Sequence, residues 1–148
     1  MNKNRTVTSK SVINKLAVSK LVISIMIKKF YDLEIWKEVH RLSIEIYKLT
    51  EKFPQYEKYS VTDQLRRSAT SVSANIAEGF GIYHYKDKIR FYYQARGSVG
   101  EVQNFVFLAK DLEYVDAKMS EKLVLDYEQL AKRINAFIKS VGKLMTDD

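Results

Sequence analysis

The chain has 148 residues, 46% of them apolar, with five glycines, one proline and no cysteine. That length and apolar content fit one compact helical domain rather than a disordered chain. The lack of cysteine excludes a disulfide framework, a thiolate zinc site and a thiol nucleophile, and fits a reducing cytoplasm. The net charge of +7 belongs to a tail: residues 1–30 hold seven basic residues and no acid, and the remainder sets 18 basic against 18 acidic residues.

In chain order, residues 1–29 read as a basic N-terminal tail and 30–148 as the folded body. The apolar run Leu21 to Ile27 is short, is interrupted by Ser24 and is followed at once by Lys28 and Lys29. It fits neither a signal peptide nor the roughly 20 apolar residues that cross a bilayer. Helical periodicity begins just after Met26, which marks Met26 as the expected natural start. The upstream segment is then a mis-assigned extension or a loose tail.

Four helices are predicted. The first runs from about Leu33 to Phe53 with Asp32 as N-cap, since Ile35, Val39, Leu42, Ile46, Leu49 and Phe53 recur at spacings of four and three. Pro54 ends it. Ser60 and Asp63 resemble a capping box for the second helix, whose inward face is Leu65, Ala69, Val72 and Ile76. Its flanks are thin (Ser68, Ser71, Ser73, Ala74, Ala77), so a neighbour could approach closely, and Gly79 and Gly81 are expected to stop it.

After an aromatic loop over residues 80–85, the third helix spans Lys86 to about Tyr114. Ile89, Tyr92, Ala95, Val99, Val102, Val106 and Ala109 form its main face. Gly97 and Gly100 each cost about 1 kcal/mol in a helix interior, so close contact with another backbone is expected there. Phe105, Leu108 and Leu112 make a second stripe, expected to be buried. Asp116 opens the last helix, where Leu123, Tyr127, Leu130, Ile134, Phe137, Val141 and Leu144 keep the four-three spacing. The whole predicts an all-α, antiparallel up-down-up-down four-helix bundle. Surplus apolar positions at Trp36, Phe91, Tyr92, Tyr93, Phe105 and Phe107 point to a wide core or a subunit interface, and an oligomer is the favoured reading.

Chemistry is sparse. A di-iron bundle needs inward Glu-x-x-His pairs, but Lys37 and Gly81 stand three residues before His40 and His84. No metal ligand set or cofactor is expected. Glu78 and Glu101 are the carboxylates to nominate for acid–base work, yet no nucleophile, phosphate cradle or oxyanion donor accompanies them, so the chain reads as a non-enzyme without catalytic residues. Glu78 opposes the dipole at its helix end; an ion pair with Arg67 or Arg96 and a simply solvated carboxylate are both open. Gly97-Ser-Val-Gly100 mimics a Gly-x-x-Gly RNA loop but sits in a helical pattern. What remains is a basic zone of Arg66, Arg67, Lys86, Lys88, Arg90 and Arg96, interleaved with Phe91, Tyr92 and Tyr93, against only Glu78 and Asp87. Such a zone is either a solvated, ion-paired face or a surface for phosphates and bases.

Five stretches carry a resemblance: Phe30-x-Asp32-Leu33-x-x-Trp36-Lys37, Ile46-Tyr47-x-Leu49-Thr50-x-x-Phe53-Pro54, Gln64-Leu65-Arg66-Arg67-Ser68-Ala69, Asn75-Ile76-Ala77-Glu78-Gly79 and Ala95-Arg96-Gly97-Ser98-x-x-Glu101. From Phe30 to Leu144 the chain resembles the bacterial four-helix-bundle family of 23S rRNA intervening sequences. It is similar in the same way to the accessory variability determinant of diversity-generating retroelements. The resemblance implies a homo-oligomeric ring, a pentamer, with a basic surface, association with RNA, and in the retroelement branch a reverse transcriptase as partner. Carried over, Arg66, Arg67 and Arg96 belong to the basic surface, and Asn75, Glu78, Gly79, Gly97, Ser98 and Glu101 to structural or interface roles. The leading expectation is an RNA-associated oligomer in the cytoplasm, with no membrane contact. The alternative is a scaffolding ring that binds only protein.

Overall fold

Side-chain pairs fix the path of the chain. The structure, a computed structural model, describes residues 27–145; the expected start at Met26, the segment before it and the side chain of Leu144 lie outside the described residues. Four helices are present, α1 (Glu34–Thr50), α2 (Val61–Gly81), α3 (Tyr85–Asp111) and α4 (Ala117–Met145), with short 3-10 turns at Phe30–Asp32 and Gln55–Glu57. No strand occurs among the described residues.

Each neighbouring pair is antiparallel, because contacts climb one helix as they descend the other. Ser43 bonds Ala69 while Arg66 reaches Thr50; Ser71 meets Ser98 while Gly79 lies under Tyr92. Gln103 bonds Val124 while Tyr92 packs on Phe137. Glu38 pairs with Arg133, and Glu45 with Lys122. The result is the expected up-down-up-down bundle, closed into a square by the α1–α4 ion pairs.

Its core is the set of stripes read from spacing. Val39, Leu42, Ile46, Leu65, Ala69, Val72, Ile76, Tyr92, Ala95, Val99, Val102, Val106, Ala109, Leu123, Tyr127, Leu130 and Ile134 are all buried. On α4 the seam drifts: Ile138 is buried while Phe137 and Val141 are half-buried. A helix of 3.6 residues per turn rotates about 20° per heptad against a strict 3.5 repeat, so over the two heptads from Leu123 the drift of about 40° carries Phe137 off the centre of the buried face, which Ile138 then shares. Ser43 Oγ reaches the Ala69 carbonyl oxygen on the inward face of α2 at 3.1 Å, a side chain of α1 touching the backbone of α2.

Several local expectations are corrected. Leu33, not Asp32, precedes α1; the Asp32 carboxylate instead accepts from the Lys29 N–H at 3.1 Å and closes the preceding turn. Ser60 makes no capping bond at α2. The Glu57 carboxylate takes that role, accepting from the Val61 N–H at 3.2 Å and from the Tyr114 hydroxyl at 2.8 Å. Helix α2 continues through Gly79 to Gly81, because Gly79 serves packing rather than termination. The second stripe of α3 faces out: Phe105 is half-buried, and Leu108 and Leu112 are exposed. Among the described residues, Gly97 and Gly100 have no atom within 4 Å of where a Cβ would stand, so no other described backbone approaches them.

Candidate nucleic-acid interface

The end of the bundle where α2 passes into α3 is held by rings. Gly79 is buried, and a Cβ there would stand 2.6 Å from Cε1 of Tyr92. The Tyr92 ring also meets Phe137 edge-on, with centroids 4.9 Å apart, so one buried tyrosine joins α2, α3 and α4. Ile82 turns the chain into extended backbone, His84 precedes α3, and Tyr83 stands 87% exposed between them. At the start of α3, Lys86 and Arg90 are exposed, with Tyr93 exposed beside them and Arg96 further along. None of Lys86, Lys88, Arg90 and Arg96 takes part in the ion pairs among the described residues. Lys88 differs in being half-buried, and burial lowers its pKa.

Arg66 and Arg67 lie elsewhere. From Arg66 to Gly81 is fifteen residues of α2, roughly 22 Å of helix axis, so the six basic residues do not form one patch. Arg66 Nε donates to Thr50 Oγ1 at 2.7 Å, and its guanidinium sits 4.7 Å from the Tyr47 ring centroid. It thus tethers the C-terminal end of α1, where a cation is favoured by the helix dipole. Arg67 reaches Asp63 at 3.9 Å on its own helix.

The polar family positions form a seam between α2 and α3. Asn75 Nδ2 donates to the Ser71 carbonyl oxygen at 2.8 Å, and Ser71 Oγ pairs with Ser98 Oγ at 2.9 Å. Glu78 is exposed and has no ion pair with Arg67 or Arg96, the solvated alternative. Glu101 and Gly97 are exposed on α3. No group of three or more His, Cys, Asp or Glu that could hold a metal occurs among the described residues. His40 is stacked on Trp36 with centroids 4.8 Å apart. No described helix is long and apolar enough to cross a membrane.

Residues 31–136 match the family model of the 23S rRNA-intervening sequence protein. The chain belongs to that family. A solved structure places a second member of the fold beside it: a protein with unknown function from the S23 ribosomal protein family of Bacteroides thetaiotaomicron. It is 22% identical, with a TM-score of 0.66, over 71% of this chain and 98% of that one. No curated protein matches.

Sequence reasoning missed three residues that shape this family member. Ser43 and Thr50 are buried hydroxyls that bond the α1 backbone at the preceding turn, and each also meets α2, at the Ala69 carbonyl and the Arg66 guanidinium. Their signal was a small polar residue beside stripe positions Leu42 and Ile46 and at the helix end. Glu57 was the third, a carboxylate four residues before α2, visible in the sequence but overshadowed by Ser60.

Proposed function

We propose that this protein is a non-enzymatic, self-associating bundle that binds RNA, or an RNA–protein complex, through the basic, aromatic first half of α3, from Lys86 and Arg90 at its start to Arg96 near its middle. The observation that carries this reading is that the exposed Lys86, Arg90 and Arg96 enter no ion pair among the described residues and stand near the exposed Tyr83 and Tyr93. An unpaired cation retains its charge for a phosphate, and an exposed aromatic face stacks a base. Membership of a family named for an rRNA intervening sequence supports the same partner. The turn Phe30–Asp32 packs against α2, and α1 starts beside the end of α2, so the exposed Lys28 and Lys29 add to the charge at this end. A ring of copies, five as the resemblance implies, would repeat the cluster around an axis and strengthen its field. We place this activity in the cytoplasm.

The test is RNA binding measured against salt, on the full chain and on a chain starting at Met26. Phosphate contacts make log affinity fall linearly with log salt. Lys86→Ala and Arg90→Ala should each reduce that slope by about one contact. If the shortened chain binds no RNA, or both variants bind like the parent, the RNA reading fails and a scaffold that docks protein, such as a reverse transcriptase, takes its place.

A further inference from the structure

Helix α3 carries two rows of residues at alternating spacings of four and three. The inner row fills the core. The outer row is Lys86, Arg90, Tyr93, Gly97, Gly100, Asn104, Phe107 and Asp111, and every one of these is exposed. Tyr93 and Phe107 leave 54% and 47% of their surface in water, and Leu108 beside them 40%. At the centre of the row the two glycines offer bare helix backbone, with nothing within 4 Å of either Cβ position. Two glycines in a helix interior destabilise it by about 1 kcal/mol each, and no contact with the described residues offsets that.

The order of the row matches itself when reversed. If two copies of α3 lie antiparallel about a two-fold axis between Gly97 and Gly100, Gly97 faces the other copy's Gly100 and Tyr93 faces Asn104. Outward from these, Arg90 faces Phe107 and Lys86 faces Asp111. These are the layers that alternate positions form in an antiparallel coiled coil. The charges agree with the geometry: each basic end meets an acidic or aromatic end, and each contact occurs twice. A parallel pairing would instead set Lys86 and Arg90 against their own copies. Asp111 now pairs only with its neighbour Lys110, at 3.4 Å on the surface, and Lys86 with nothing among the described ion pairs.

We propose that the outer row of α3 is an isologous docking surface for a second copy of this chain, seated antiparallel over Gly97 and Gly100. The close approach of two bare backbones at the centre is the use of the two glycines, and the Tyr93 and Phe107 rings cover it on either side. This contact closes after two copies, so it is distinct from the head-to-tail contact that builds a ring. It does not rest on the RNA reading. RNA and the second copy compete for Lys86 and Arg90, so the pairing is read on protein free of RNA.

The test uses the full chain in sedimentation equilibrium, with Lys86→Asp and Asp111→Lys prepared separately. Each variant sets two like-charge pairs across the axis and should associate about tenfold or more weakly than the parent. Mixed one to one, the two should recover association, because in both outer layers a carboxylate of one variant then faces an ammonium group of the other. Recovery in the mixture also shows that both variants are folded. A parent that stays monomeric, or that sediments only as an odd-numbered ring without any two-fold species, overturns the proposal, as does a single variant that associates like the parent or a mixture no better than its parts. RNA affinity plays no part in this readout, so it separates the two readings.

Discussion

Gly79 lies directly under the ring of Tyr92, so close that a methyl group at 79 would stand 2.6 Å from Cε1 and 3.2 Å from the Lys88 carbonyl oxygen. Tyr92 is 1% exposed and is backed by Phe137, so the ring has nowhere to retreat. The glycine is therefore the condition for α2 and α3 to meet at the end of the bundle that carries Lys86 and Arg90.

Gly79→Ala should destabilise the fold. Overpacking costs about 1–3 kcal/mol, which exceeds the roughly 1 kcal/mol that alanine contributes to a helix interior. Urea denaturation of the variant should show a lower midpoint, and an unchanged or higher one would mean that the ring yields freely.

Gly97→Ala and Gly100→Ala should behave in the opposite way. Both sites are open, so each substitution should raise the stability of the dissociated chain by up to about 1 kcal/mol. If α3 pairs as proposed, the same methyl groups part the two backbones and weaken association. Denaturation at low protein concentration reads the first effect, and sedimentation the second.

Tyr127 has its hydroxyl buried without a hydrogen-bond partner among the described residues. An unsatisfied buried hydroxyl is unfavourable, so Tyr127→Phe should leave stability unchanged or raise it by about 1 kcal/mol. A clear loss on denaturation would reveal a partner for that hydroxyl.

Alkaline pH should unfold the bundle through its buried phenols. Burial pushes the Tyr92 phenol up to about 12. Burial, followed by the charge of Glu45, also raises that of Tyr127. In the unfolded chain both ionise near 10. Their folded values are the higher ones, so the stabilisation they give is complete below about pH 10 and is lost as pH rises from there towards 12. Melting temperatures followed over that range should fall steeply, and less steeply in Tyr127→Phe.

Arg66→Ala should lower stability by about 1 kcal/mol through loss of the bond to Thr50 and the stacking on Tyr47. Its effect on RNA affinity should be smaller than that of Arg90→Ala. Equal losses of affinity in the two variants would place RNA along the whole length of α2 instead.

The sequence by itself determined the helices, their antiparallel order and nearly the whole core. Periodicity is a local property, and Leu42, Val99 or Leu130 declares its inward face through residues three and four away. The family, too, was legible in Asn75 to Gly79 and Ala95 to Glu101. Only the tertiary structure decided what those motif residues do. That Gly79 accommodates a ring, that Gly97 and Gly100 face solvent, and that Arg66 tethers α1 while Arg90 enters no ion pair among the described residues depend on which side chain of another helix stands opposite. Capping was divided in the same way: Ser60 had the right spacing, but Glu57 was brought closer to the Val61 N–H by the turn after Pro54. Pairing across helices joins residues far apart in the chain, and no spacing along it encodes that distance.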